Sequence, residues 1–196
     1  MNLTGTRNFI LEKLRKELKP TLYYHTLDHT IDVEDEVIRL CECEKTNLNL
    51  SIIIRTAALF HDAGMIITYD EHESASVDIA REILPQFQYT PEEIDLVSDL
   101  ILVTKLPQRP TTHAEQIICD ADLDNLGRQD FFLHSFRLKL EWELNGILTC
   151  DFKEWLNLQI KFLEDHTFFT EIAIATRQEK KMKNLSEIKE IIQVHK

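Results

Sequence analysis

Glycine is scarce in this chain, with 4 residues among 196. Turn-rich β architectures lean on glycine, so its scarcity, together with long stretches of mixed charged and apolar residues, favours helices. No run approaches the roughly 20 apolar residues of a membrane span. Residues 1–19 form a charged amphipathic stretch and not a signal peptide, and a cytoplasmic protein is expected. The four cysteines (Cys41, Cys43, Cys119 and Cys150) lack zinc-ribbon spacing. Cys41 and Cys43 are two close thiols without further ligands. The set reads as reduced, mostly buried thiols. Positive charge is also short: 22 Lys and Arg face 34 Asp and Glu, for a net charge of −12. A field of that sign excludes wrapping of DNA or RNA. It leaves room for a small phosphate ester, because a bound cation reverses the sign locally.

What is present is a helical spacing of apolar residues almost throughout, with no repeat, linker or low-complexity segment. Phe9, Leu11, Leu14 and Leu18 predict a first helix stopped by Pro20, and Leu27 to Leu40 a second. Residues 52–60 are apolar all round and predict the buried centre of a bundle. Gly64 follows closely as a candidate helix stop. A fourth helix is expected over 71–84. The run Thr90-Pro91-Glu92-Glu93 carries an N-cap, a proline at the first helical position and acids in the first turn, which starts a fifth helix running to about Val103. A sixth leads to Asp122, and three more cover 129–144, 151–166 and 170–193. The expectation is an all-α bundle of about nine helices in one domain over 1–196, its motif-bearing core at 20–130 and the C-terminal helices packed on it. The basic run Arg177, Lys180, Lys181 and Lys183 reads as a solvated face of the last helix.

Dispersed histidines and aspartates carry the chemistry. His25 and His29 are four apart in Tyr23-Tyr24-His25-Thr26-Leu27-Asp28-His29. Within one helix they share a face, about 6 Å apart along the axis. With Thr26 as N-cap, His25 instead stands just outside the helix and can still lean over a site. His61-Asp62 ends the most apolar helix. Adjacent helical residues point about 100° apart, so the two converge on one ion only near a helix end. Polar groups at the end of a buried helix need partners, and a metal is one. In Asp120-Ala121-Asp122-Leu123-Asp124, a calcium loop fails because Asn125 stands where glycine is needed and Phe131 where the bidentate glutamate belongs. Asp122, at the buried end of an apolar helix, suits a metal ligand, while Asp120 and Asp124 suit hydrogen bonds to ligands or a cap. Two imidazoles and two carboxylates form a donor set for a hard or borderline divalent ion: Mn, Mg, Fe, Co, Ni or Zn.

The ordered set Y-H-x-x-x-H, H-D-x-G and D-A-D-L-D resembles the HD-domain metal-dependent phosphohydrolases and is similar to the metal core of the cyclic-nucleotide phosphodiesterases. The resemblance spans about 20–130 by motif. It implies an all-helical fold around one or two divalent ions, with His29, His61, Asp62 and Asp122 as ligands and His25 where a phosphodiesterase protonates the leaving oxygen. The chain departs from the phosphodiesterases in having Thr26 after His25. His72 and His113 supply the order of a two-metal set, but about 13.5 Å of helix between His113 and Asp122 argues against His113. His72 and Glu73 border the site in similar small HD proteins. Basic residues are few, so Lys105 or Arg109, in the loop before the sixth helix, are candidates for a substrate phosphate. The function expected is hydrolysis of a small phosphoester or phosphoanhydride, a nucleotide foremost, by metal-activated water, with Asp62 and His25 catalytic. The alternatives are a non-catalytic HD domain that binds a nucleotide or partner and, further off, a di-iron oxygenase. No membrane or nucleic-acid partner is expected, and the oligomeric state is left open between monomer and homo-oligomer.

Overall fold

The structure, a computed structural model, describes residues 1–194. Among them are nine α-helices and no strand: α1 (Leu3–Glu17), α2 (Leu27–Cys43), α3 (Leu48–Phe60), α4 (His72–Ile83), α5 (Pro91–Leu102), α6 (His113–Asp122), α7 (Phe131–Leu144), α8 (Phe152–Asp165) and α9 (Glu171–Val194). Local chemistry sets most starts. Asn2, Thr26, Asn47, Thr90 and Asp151 each cap a helix by accepting a backbone N–H with the side chain. Such bonds satisfy donors that helix geometry leaves open. Thr90 and Asp151 complete reciprocal capping boxes with Glu93 and Glu154. The expected proline at the start of α5 is in place.

The chain divides into two compact units. The first comprises Met1–Pro20 and His25–Asp122, and so holds α1 to α6. At its centre α3 packs against α1, α2, α5 and α6. Ile54, Ala57, Ala58, Leu59 and Phe60 are wholly buried. Burying a side chain such as Leu59 or Phe60 contributes roughly 1.5–3 kcal/mol over leaving it in water. The two alanines let neighbouring helices come close without a void. Glu34 of α2 is buried and accepts from Arg7 Nε of α1 (2.7 Å) and an Arg55 guanidinium nitrogen of α3 (3.0 Å), which ties three helices together. Two partners offset the desolvation of a buried carboxylate.

The second unit comprises Thr21–Tyr24 and the chain from Leu123 on. Trp155 is fully buried and donates its indole N–H to Ser135 Oγ (3.0 Å). Buried Glu141 accepts the backbone N–H of Tyr24 (2.7 Å). Asn184 donates to the Leu126 and Arg128 carbonyls.

The basic run on α9 is not wholly a solvated face. Arg177 pairs with buried Asp124, and Lys181, 2 % exposed, donates to the His166 carbonyl that ends α8. A lysine goes under when an open helix C-terminus offers carbonyls for its ammonium to satisfy. The thiols are free, as expected; Cys41 and Cys119 are buried, but Cys43 is exposed. No helix of the described residues is long and apolar enough to cross a membrane.

Candidate metal centre

Four side chains from three helix ends converge in the first unit. Thr26 caps α2 by accepting the backbone N–H of His29 (3.2 Å), so His25 stands just outside the helix and His29 in its first turn. The helix α3 stops at Phe60. His61 keeps helical backbone angles, while Asp62 leaves them and opens a 3-10 turn over Ala63–Ile66. This break brings the two adjacent side chains to one point. Asp122 is the last residue of α6.

The expected helix stop at Gly64 is corrected in its cause. Its φ is not in the left-handed region; a side chain there would put a Cβ 2.0 Å from the His72 carbonyl and 2.8 Å from the Ser76 nitrogen. Glycine lets the start of α4 lie against the turn. Ser76 locks that contact by accepting from the Gly64 N–H and donating to the His61 carbonyl, both at 2.7 Å. No spacing pattern pointed to Ser76, because its partners are backbone atoms of another element.

His29 Nε2 and His61 Nε2 lie 3.4 Å apart. Each is 3.5 Å from Asp122 Oδ1. Asp62 Oδ2 is 3.1 Å from His61 Nε2 and 3.5 Å from His29 Nε2. His61 donates from Nδ1 to the Ala58 carbonyl (2.8 Å), which turns Nε2 into the cluster. A backbone carbonyl in that role fixes the tautomer of a metal-binding imidazole. Asp62 Oδ2 is buried with no hydrogen-bond partner. A buried carboxylate oxygen so placed is costly unless a cation meets it. The donors therefore fit a divalent ion in type, number and convergence.

The electrostatics agree. Burial works against a charged His61, but the Asp62 and Asp122 carboxylates outweigh it and push the imidazole pKa well up. Burial likewise opposes ionisation of Asp62, and the charges of His61 and His25 hold it well down. Asp122 is held at about 2 against burial by hydrogen bonds from His29 and His61. The field that draws a proton to His61 Nε2 also draws a metal ion.

A second group adjoins the first through Asp62. His72 Nε2 lies 3.4 Å from Asp62 Oδ1 and 3.5 Å from Glu73, while its Nδ1 donates to the Tyr69 carbonyl (3.0 Å). Burial lowers the His72 pKa, but Asp62 and Glu73 raise it further, for a net rise. The His25 ring stands 5.7 Å from that of His72, 5.8 Å from Tyr69 and 6.2 Å from His29. His25, Asp62 and His72 thus form another triad with metal-compatible spacing. Lys105 is half-exposed and pairs with Glu71, the residue before α4. His113 lies elsewhere, exposed and 3.6 Å from Glu44, as the helix geometry anticipated. Arg109 is exposed. Gln108 was not anticipated: its amide donates to Asp122 Oδ2 (2.9 Å) and holds the carboxylate from outside.

The first unit is all-helical among the described residues, and its helix ends gather two histidines and two aspartates into a candidate metal centre. The sequence profile of the family described as HD domain matches residues 26–124, just over half of the chain, and the chain belongs to the HD domain family. The match takes in every residue named in the two groups except His25, one position before it. A Clostridium beijerinckii protein described as uncharacterized is 35 % identical over 99 residues, which are 49 % of this chain and 59 % of that protein. This chain therefore spans less than two thirds of that relative's length. The crystal structure of Bacillus subtilis YpgQ in complex with ADP shares the fold, with a TM-score of 0.68 over 98 % of this chain and 96 % of YpgQ, at 19 % identity.

Proposed function

We propose that this protein is a metal-dependent phosphohydrolase acting on a small phosphoester or phosphoanhydride, with a nucleotide as the foremost substrate. The observation that carries the reading is the meeting of His29, His61, Asp62 and Asp122 around an unpaired buried Asp62 oxygen. When bound by these four, a divalent ion supplies a Lewis acid for phosphoryl oxygens and a nucleophile from water near neutral pH.

The chain's own residues do the rest. Asp62 and Asp122 stay ionised at working pH, because both are held below the usual carboxylate range. His61 keeps its orientation through the Ala58 carbonyl. His25, outside α2 and half-buried, delivers the proton that the leaving oxygen takes as its bond to phosphorus breaks. An imidazole suits that task because its ordinary pKa lies near neutrality. Lys105 exchanges Glu71 for a substrate phosphate, and His72 and Glu73 line the approach. Catalysis is charge neutralisation plus positioning. The nucleotide preference draws support from YpgQ, whose crystals held ADP.

The test is release of phosphate or pyrophosphate from a panel of nucleotides with added Mn²⁺, run beside Asp62→Ala. Turnover lost in the variant supports the reading. Metal binding without turnover of any phosphate ester would replace it with a nucleotide-binding domain that does no chemistry.

A further inference from the structure

No helix fixes His25. Thr26 is the N-cap of α2, so the histidine stands before the helix, half-buried. A general acid works only where its donor atom meets the leaving oxygen, and a displacement of about 1 Å costs on the order of 100-fold in rate. Something else must hold the ring.

Rings of His29, His72 and Tyr69 stand beside it, with centroids 6.2, 5.7 and 5.8 Å away. His29 and His72 are committed elsewhere. Nε2 of His29 faces His61 and Asp122, and Nε2 of His72 faces Asp62. Tyr69 meets both imidazoles of the second group. Its ring lies edge-on to His25, with the planes at 88°, an arrangement that aromatic pairs favour. Its carbonyl accepts from His72 Nδ1 at 3.0 Å.

The link that carries Tyr69 is short and closed at both ends. It runs from the 3-10 turn ending at Ile66 to the start of α4 at His72. The Ile67 and Thr68 N–H groups both donate to the Gly64 carbonyl, at 2.8 and 3.0 Å. The Thr68 hydroxyl donates to the Asp70 carbonyl (3.0 Å), which closes the turn over Tyr69. At the far end Glu71 has a left-handed backbone, φ 55° and ψ 33°, and its carbonyl accepts the Ser74 and Ala75 N–H groups. A residue other than glycine is strained there. Such strain persists only where the surroundings impose it, and it gathers at functional sites. Here it reverses the chain between Tyr69 and His72, which brings the Tyr69 carbonyl to the side chain three residues on.

Building on the phosphohydrolase reading above, we infer that Tyr69 is the positioning residue of the proton donor: its ring holds the His25 imidazole, and its carbonyl fixes His72 beside it.

Two readouts on wild type, Tyr69→Ala and Tyr69→Phe test this. The first is nucleotide hydrolysis with Mn²⁺. Tyr69→Ala is expected to lower kcat by about 10–100-fold while KM and Mn²⁺ affinity stay as in the wild type. Tyr69→Phe keeps the ring and the carbonyl and is expected to recover most of that rate. The second readout needs no turnover. With Mg²⁺ in place of paramagnetic Mn²⁺, nuclear Overhauser contacts between the His25 and His72 ring protons are measured by NMR, with His25→Ala assigning the signals. Tyr69→Ala should weaken that contact and leave the one between His29 and His61, whose centroids are 5.3 Å apart. The intact second contact also shows that the centre is folded. A wild type that hydrolyses no nucleotide sinks the phosphohydrolase reading, while a weakened His25–His72 contact in Tyr69→Ala still supports the positioning. An undiminished contact in Tyr69→Ala, an unchanged kcat, or a rise in KM alone, which would make Tyr69 a substrate contact, would each overturn the proposal.

Discussion

Gln108→Leu is the perturbation that reads most directly on how the candidate centre is held. The Gln108 amide donates to Asp122 Oδ2 at 2.9 Å and, more weakly, to the Thr104 carbonyl at 3.4 Å, while its own Oε1 is buried without a partner. Leucine has similar bulk and cannot donate. Asp122 then loses the contact that fixes one oxygen outside while the other faces His29 and His61. Hydrogen bonds to charged groups are worth about 1.5–3 kcal/mol, but the change also removes an unsatisfied acceptor. The net loss of metal-free stability is therefore expected near 1 kcal/mol, a drop in Tm of about 2–4 °C for a chain of this size. Metal affinity should fall further, by about 10–100-fold, the usual effect of removing a group that orients a ligand. Titration of metal-free protein with Mn²⁺ by calorimetry separates the two quantities. Unchanged Mn²⁺ affinity in a folded Gln108→Leu protein would refute the reasoning. A wild type that binds no Mn²⁺ would instead refute the metal centre itself.

Two further predictions rest on other features. His25→Ala should retain Mn²⁺ with wild-type affinity while kcat falls by about 10²–10⁴-fold, the range for loss of a general acid; equal losses of metal and rate would make His25 a ligand instead. Lys181→Met should change the pH dependence of stability. Burial pushes the Lys181 pKa down, so between its folded and unfolded pKa values the unfolded chain binds more protons and stability rises with pH. The contribution is absent below the folded pKa and grows as pH climbs toward the free-lysine value. Urea denaturation at neutral pH and again near the free-lysine pKa should therefore show the wild type gaining on Lys181→Met with rising pH. A difference that stays constant or reverses would refute this.

The helices were legible because apolar spacing and caps are local signals. Thr90-Pro91-Glu92-Glu93 specifies its own start, and Ile52 to Phe60 is too apolar for any place but a centre. The order of His29, His61-Asp62 and Asp122 was legible as a family pattern, and Thr26 already offered the cap that sets His25 outside α2. What escaped the sequence depends on elements distant in the chain. Gln108 sits in a loop with no periodicity, and only the fold brings it to Asp122. Lys181 looks like any helical surface lysine until the end of α8 is laid against it. Gly64 could be seen as a break, but not as the contact with His72 and Ser76 that requires glycine.

The most direct measurement is metal content of the wild type and Asp62→Ala by elemental analysis, with hydrolysis of nucleotides followed on the same samples. The account predicts one or two ions per wild-type chain with turnover, and neither metal nor turnover in a folded Asp62→Ala protein. Undiminished hydrolysis in Asp62→Ala, or a wild type that takes up no metal under any loading condition, would contradict it.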